Sequence, residues 1–195
     1  MRIFDPNRVI IDDSVPASLR DSPEYLSRRR AIERSLQVPD RFDRTCTHET
    51  GHVIYFRRAG FTTFEYLGPK IFHDGRQFRY WVAYVSPSQL NGNILYTEEL
   101  LLGLARGAAA GGVFLEVLLG CSAIDNGSGD DLMSFGMHCG RAQVQWRRPL
   151  SVQQRWIRAR KEVKLDLENH VITPDEIDRT KAEVISKCFS MTDSG

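Results

Sequence analysis

This chain lacks several features that would assign its class at once. It has no Cys-x-x-Cys pair, because Cys46, Cys121, Cys139 and Cys188 stand apart. A cysteine-ligated zinc site is therefore not indicated. A chain of 195 residues buries a sizeable core without covalent staples, so reduced thiols and a cytoplasmic location are expected. Neither charge is in excess. With 26 basic and 25 acidic residues, the chain carries no electrostatic footprint for nucleic acid. The short runs Arg28-Arg29-Arg30 and Arg147-Arg148 read as solvated helix faces. No G-x-x-x-x-G-K-[ST] loop occurs, so no ATP-driven motor is expected within these residues. The N-terminal apolar run is only "VII", too short for a signal peptide. The most apolar stretch, Leu100 to Gly120, is interrupted by Arg106, Glu116 and five glycines. It reads as a buried helix rather than a membrane span.

What is present reads as one domain of the α+β class, mainly helical with a small antiparallel sheet. Residues 1–20 lack periodicity and are expected to form an irregular arm. From Ser22 a helix is expected, with Ser22 as cap and Pro23 at the first helical position. Pro39 ends it, and Asp40 or Asp43 can cap the next helix, which runs to Gly60. "FTTFEYLG" and "RQFRYWVAYVS" are aromatic and β-branched runs flanking an Asp74-Gly75 turn signal, the pattern of antiparallel strands. Thr97 can cap the long apolar helix, with Glu98 and Glu99 suited to its dipole. A Gly-rich turn, "DNGSGDDL", precedes a helix from about Asp130 to Arg147. Residues 150–191 read as a pair of helices, the second opened by the "TPDE" capping box.

The second expected helix carries "TCTHETGHVIYF", Thr45 to Phe56. Residues four apart on a helix share a face, so His48 and His52 can aim their imidazoles at one point. Neutral imidazole is a good zinc ligand. Glu49 lies beside that point and can take a proton from a water that the metal activates, which makes it a candidate general base. Gly51 costs a helix about 1 kcal/mol relative to alanine, a cost that close packing at a site can offset. Two histidines do not complete a zinc site. His73, Glu116, Asp125, Asp130, Asp131 and His138 can each supply a third ligand, and spacing alone does not choose among them. The metzincin pattern, with its third histidine at a short spacing, is absent.

Two stretches together carry a resemblance. "HETGH" resembles the HExGH centre of the FtsH-type ATP-dependent zinc metalloproteases. About eighty residues later, "LLGLARGAAAGGVFLEVLLGCSAIDNGSGDDLMSF" resembles that family's second segment, a Gly-x-Ala-Ala-type helix leading into a Gly-rich turn and an Asn-Asp-Leu triplet. The resemblance covers roughly residues 40 to 145, which defines an expected zinc-site core at 40–147. It implies zinc bound by His48, His52 and Asp131, with Asp130 in the place of the family's asparagine. The family's Glu-Glu pair falls on Gly111 and Gly112, and Glu116 is the candidate to replace the missing carboxylate. The family's ATPase module has no counterpart here.

The resemblance thus implies a stand-alone, ATP-independent zinc metallopeptidase with Glu49 as its base. It would act on unfolded or flexible polypeptides, which an edge strand could bind by strand addition. The alternative is a noncatalytic zinc-binding interaction module derived from such a domain. The resemblance also admits a homo-oligomer and a separate ATPase partner. Nucleic acid and membrane partners are not expected.

Overall fold

A computed structural model describes residues 10–11, 15–91, 94–122 and 128–189. Most of the expected N-terminal arm lies outside the described residues. So do positions 92–93, Asp125 with much of the Gly-rich turn, and the last six residues.

The described chain is mainly helical with a small strand component, as the composition and periodicity imply. Helix α1 spans Pro23–Gln37. The Ser22 hydroxyl accepts the Tyr25 N–H, and Pro23 occupies the first turn, where its missing N–H costs nothing. Helix α2 spans Pro39–Arg58. Its start differs from expectation. Pro39 both stops α1 and opens α2, and Asp40 falls inside the first turn instead of capping it. A proline preset to helical φ makes this near-continuous junction possible. Behind α2, Phe61 N–H bonds back to the Phe56 carbonyl across Gly60, whose φ is +92°.

Five short strands follow the sequence order β1 (Ile10–Ile11), β2 (Phe64–Leu67), β3 (Lys70–His73), β4 (Phe78–Trp81) and β5 (Tyr84–Pro87). The β3–β4 hairpin is antiparallel, with His73 opposite Phe78. Gly75 at φ +89° turns it, and the Asp74 carboxylate accepts the Arg76 and Gln77 N–H groups. Sequence reading placed the hairpin's first strand in "FTTFEYLG". That segment forms β2, which pairs with β5, while the short "KIFH" forms β3. Gly68-Pro69 explains the division, since proline cannot donate to a continuing ladder. β1 lies parallel to β3, and the strands form two small sheets, β1–β3–β4 and β2–β5, the small sheet component of an α+β fold.

Helix α3 spans Glu98–Leu119, capped by Thr97 and ended by left-handed Gly120. Helices α4 (Ser128–Trp146), α5 (Val152–Glu168) and α6 (Pro174–Phe189) complete the order. Thr173 caps α6 through the Glu176 N–H, and α5 with α6 is the helical pair expected at the C-terminal end. Among the described residues, two with side chains hold positive φ just past helix ends: Arg147 at +52° and His170 at +54°. By length and composition α3 could cross a bilayer, yet 72% of its apolar window is buried within the chain.

The chain divides into two compact units. The first comprises the stretch up to Cys46, Tyr66–Tyr84 and the stretch from Ala182. Its core includes Val15, Tyr25, Ile32, Ile71 and Phe78, with the Tyr25 and Phe78 rings edge to face at 5.7 Å. The second comprises Thr47–Glu65 and Val85–Lys181. There α3 is the central helix, with α4 and α5 packed on it. Leu101, Leu104, Phe135 and Trp156 form one buried cluster, and Ile54, Val113, Phe114 and Val163 another. The chain enters each unit more than once.

Candidate metal centre

The candidate centre lies wholly in the second unit. Its first wall is α2, where His48 and His52 sit one turn apart on the face turned to α3. Glycines on both helices bring the two together. A side chain at Gly51 would stand 2.8 Å from the backbone C and O of Ala110. One at Gly103 would stand 2.6 Å from Ala59 Cβ, and one at Gly107 2.3 Å from the Phe56 ring. The expectation that Gly51 has a packing reason is met by this contact.

The imidazoles converge. His52 Nε2 is 3.0 Å from His48 Nε2. Asp131, in the first turn of α4, reaches both: its Oδ2 is 3.3 Å from His48 Nε2 and its Oδ1 3.4 Å from His52 Nε2. Of the other third-ligand candidates, none of those described joins the cluster. The His73 ring bonds the Gly75 N–H in the first unit. Glu116 pairs with Arg160. Asp130 is exposed. His138 pairs through Nδ1 with the Tyr96 hydroxyl at 2.8 Å. Asp125 lies outside the described residues.

Two backbone groups complete the arrangement. The Gly107 carbonyl is 2.8 Å from His52 Nδ1. A carbonyl only accepts, so Nδ1 carries the hydrogen and Nε2 faces the cluster. The Val85 N–H of β5 donates to Glu49 Oε2 at 3.0 Å. Neither is legible in the sequence, because every residue but proline carries a backbone N–H and every residue a carbonyl. Glu116 does not take the orienting role expected of it, because Arg160 holds it elsewhere and the Gly107 carbonyl already occupies His52 Nδ1.

The cluster favours positive charge. Burial pushes the Glu49 carboxyl above its usual range, against the attraction of His52 and His48. Burial also opposes charge on His52, but the neighbouring Asp131 carboxylate outweighs it and raises the imidazole to about 9. Asp131 stays well below the usual carboxylate range despite its burial, held there by His52. Its Oδ2 is buried without a hydrogen-bond partner, 3.3 Å from His48 Nε2. A buried carboxylate oxygen left in this way calls for a ligand, because unsatisfied buried polar atoms are costly. His48, Glu49 and His52 each offer a ligand atom, all within 4.8 Å of one another, a grouping able to hold a metal ion. Comparison of the chain with protein-family models, curated proteins and solved structures returns no match.

Proposed function

We propose that this chain is a zinc-dependent metallopeptidase of the FtsH peptidase-domain type, working without a motor in these residues. His48, His52 and Asp131 would hold the metal, and Glu49 would act as general base. The observation that carries this reading is the meeting of three ligand side chains from two helices. Donors about 2.0–2.1 Å from a tetrahedral zinc stand about 3.3 Å from one another. Here the two imidazole nitrogens are 3.0 Å apart, and each has one Asp131 oxygen at 3.3 or 3.4 Å. Two imidazoles with one carboxylate are also the donor set of open catalytic zinc sites.

When bound, zinc supplies a Lewis acid that polarises a peptide carbonyl and acidifies a water. The chain's own groups do the rest. The Gly107 carbonyl keeps His52 Nε2 turned to the centre. Asp131 balances the cation's charge. Glu49 is made more basic by burial, which suits a group that takes a proton near neutral pH and returns it to a leaving amine. The Val85 N–H fixes its carboxylate. Substrates would be unfolded or flexible polypeptides, since nothing here supplies energy for unfolding.

A second reading, a noncatalytic zinc-binding interaction module, draws on the same Val85–Glu49 bond. A buried glutamate that ties α2 to β5 has a structural use with or without catalysis. The readings separate on metal content and hydrolysis of an unfolded casein-like substrate in wild type, His48→Ala, Asp131→Ala and Glu49→Gln. The peptidase reading expects one zinc per chain in wild type and in Glu49→Gln. It expects turnover in Glu49→Gln to fall by about 10²-fold or more. Zinc without turnover in wild type would favour the interaction module. Wild-type zinc content in Asp131→Ala would remove the assigned third ligand.

A further inference from the structure

The helix facing the imidazoles turns a glycine toward their donor nitrogens. A Cβ built on Gly111 would stand 2.7 Å from His48 Cε1 and Nε2 and 2.7 Å from His52 Nε2. Real side chains do not approach so closely, so any residue but glycine would push the two donor nitrogens away from their meeting point. One turn earlier on the same face, Gly107 offers its carbonyl to His52 Nδ1. Gly107 can do so because it also lacks a side chain: a Cβ there would strike the Phe56 ring at 2.3 Å. That ring stacks near His52 at a centroid distance of 6.2 Å.

From this geometry we propose that Gly107 and Gly111 are the positioning residues of the metal centre. Gly107 fixes the tautomer and angle of His52 through its carbonyl. Gly111 keeps open the space into which both Nε2 atoms point. Metal-binding histidines generally need a partner on the second nitrogen. Here the backbone of α3 supplies it, so that partner survives any substitution that preserves the approach of the helices. This proposal rests on the metal-site reading and adds that the site's fit depends on two positions that never touch the ion.

The test uses the whole chain with cobalt(II) as a spectroscopic stand-in for zinc. Affinity and the visible spectrum are measured for wild type, Gly111→Ala and Gly140→Ala. Gly140 of α4 meets nothing within 4 Å, so a methyl there crowds neither the α2–α3 approach nor an imidazole. Gly140→Ala is expected to keep wild-type affinity and spectrum. Gly111→Ala is expected to bind cobalt about 100-fold more weakly or worse, with a changed spectrum. Wild-type binding by Gly111→Ala would overturn the proposal and leave the metal-site reading standing. Failure of wild type to bind any metal would remove both. Should Gly111→Ala not fold, nitrogen NMR of the zinc-loaded wild type decides instead. It is expected to show His52 bound through Nε2 with a slowly exchanging Nδ1–H. Coordination through Nδ1 would overturn the proposal.

Discussion

Burial alone would strip the proton from His52, yet Asp131 beside it carries the imidazole to about 9. An unfolded histidine titrates at about 6.5. A folded pKa above the unfolded one adds stability that is complete below about pH 6.5 and is lost as pH rises toward 9. Metal competes for the same nitrogen, so its affinity should climb about tenfold per pH unit for the one proton displaced. The metal-free protein should therefore melt at progressively lower temperature between pH 6.5 and 9. Zinc uptake at pH 7.5 should release a proton, measured by titration calorimetry in buffers of different ionisation heat. Heats independent of the buffer would contradict this. At this scale the sequence showed what side chains can show. His48 and His52 were legible because their spacing matches a helical turn, and Glu49 because it stands beside them, whereas Asp131 stood out among six candidates only through the resemblance of "GSGDDL" to the FtsH-type segment. The Gly107 carbonyl and the Val85 amide were not, because every residue carries such groups and only the packed fold selects which one is used.

Glycine-to-alanine substitution should act with opposite sign on different helices. In an open helical position alanine gains about 1 kcal/mol. Gly140 of α4 meets nothing within 4 Å, so Gly140→Ala should stabilise by roughly that amount. At Gly51 the new methyl would sit 2.8 Å from the backbone of Ala110, and backbone cannot rotate aside as a side chain can. Overpacking costs about 1–3 kcal/mol, which outweighs the propensity gain, so Gly51→Ala should destabilise. Urea denaturation midpoints read both, and a shift of the same sign in the two variants would count against the close α2–α3 approach. The caps of α1, α3 and α6 were the most legible features, since Ser22, Thr97 and Thr173 each satisfy a specific backbone N–H. The strands were less so. A four-residue strand such as "KIFH" is too short for its alternation to stand out, and pairing partners distant in sequence leave no local trace.

Ligand binding stabilises a whole protein by mass action, about 2.7 kcal/mol at a hundred times the dissociation constant. The proposed centre joins α2, α3 and α4, all through residues of the second unit. Zinc should therefore slow hydrogen exchange most in Thr47–Glu65 and in the helices of Val85–Lys181, and least in Tyr66–Tyr84. Equal slowing in all of these would argue that the metal sits elsewhere. Stability also limits which site variants can be studied at all. Arg147 and His170 hold left-handed backbone, a conformation that costs a side-chain-bearing residue about 1–2 kcal/mol. Glycine removes that strain, less about 0.5–1 kcal/mol of chain entropy. Arg147→Gly and His170→Gly should each raise the melting temperature slightly, as scanning calorimetry can record. Neither position touches the imidazoles, so the doubly substituted chain would make a sturdier host in which a damaged centre can be assayed while the protein around it remains folded.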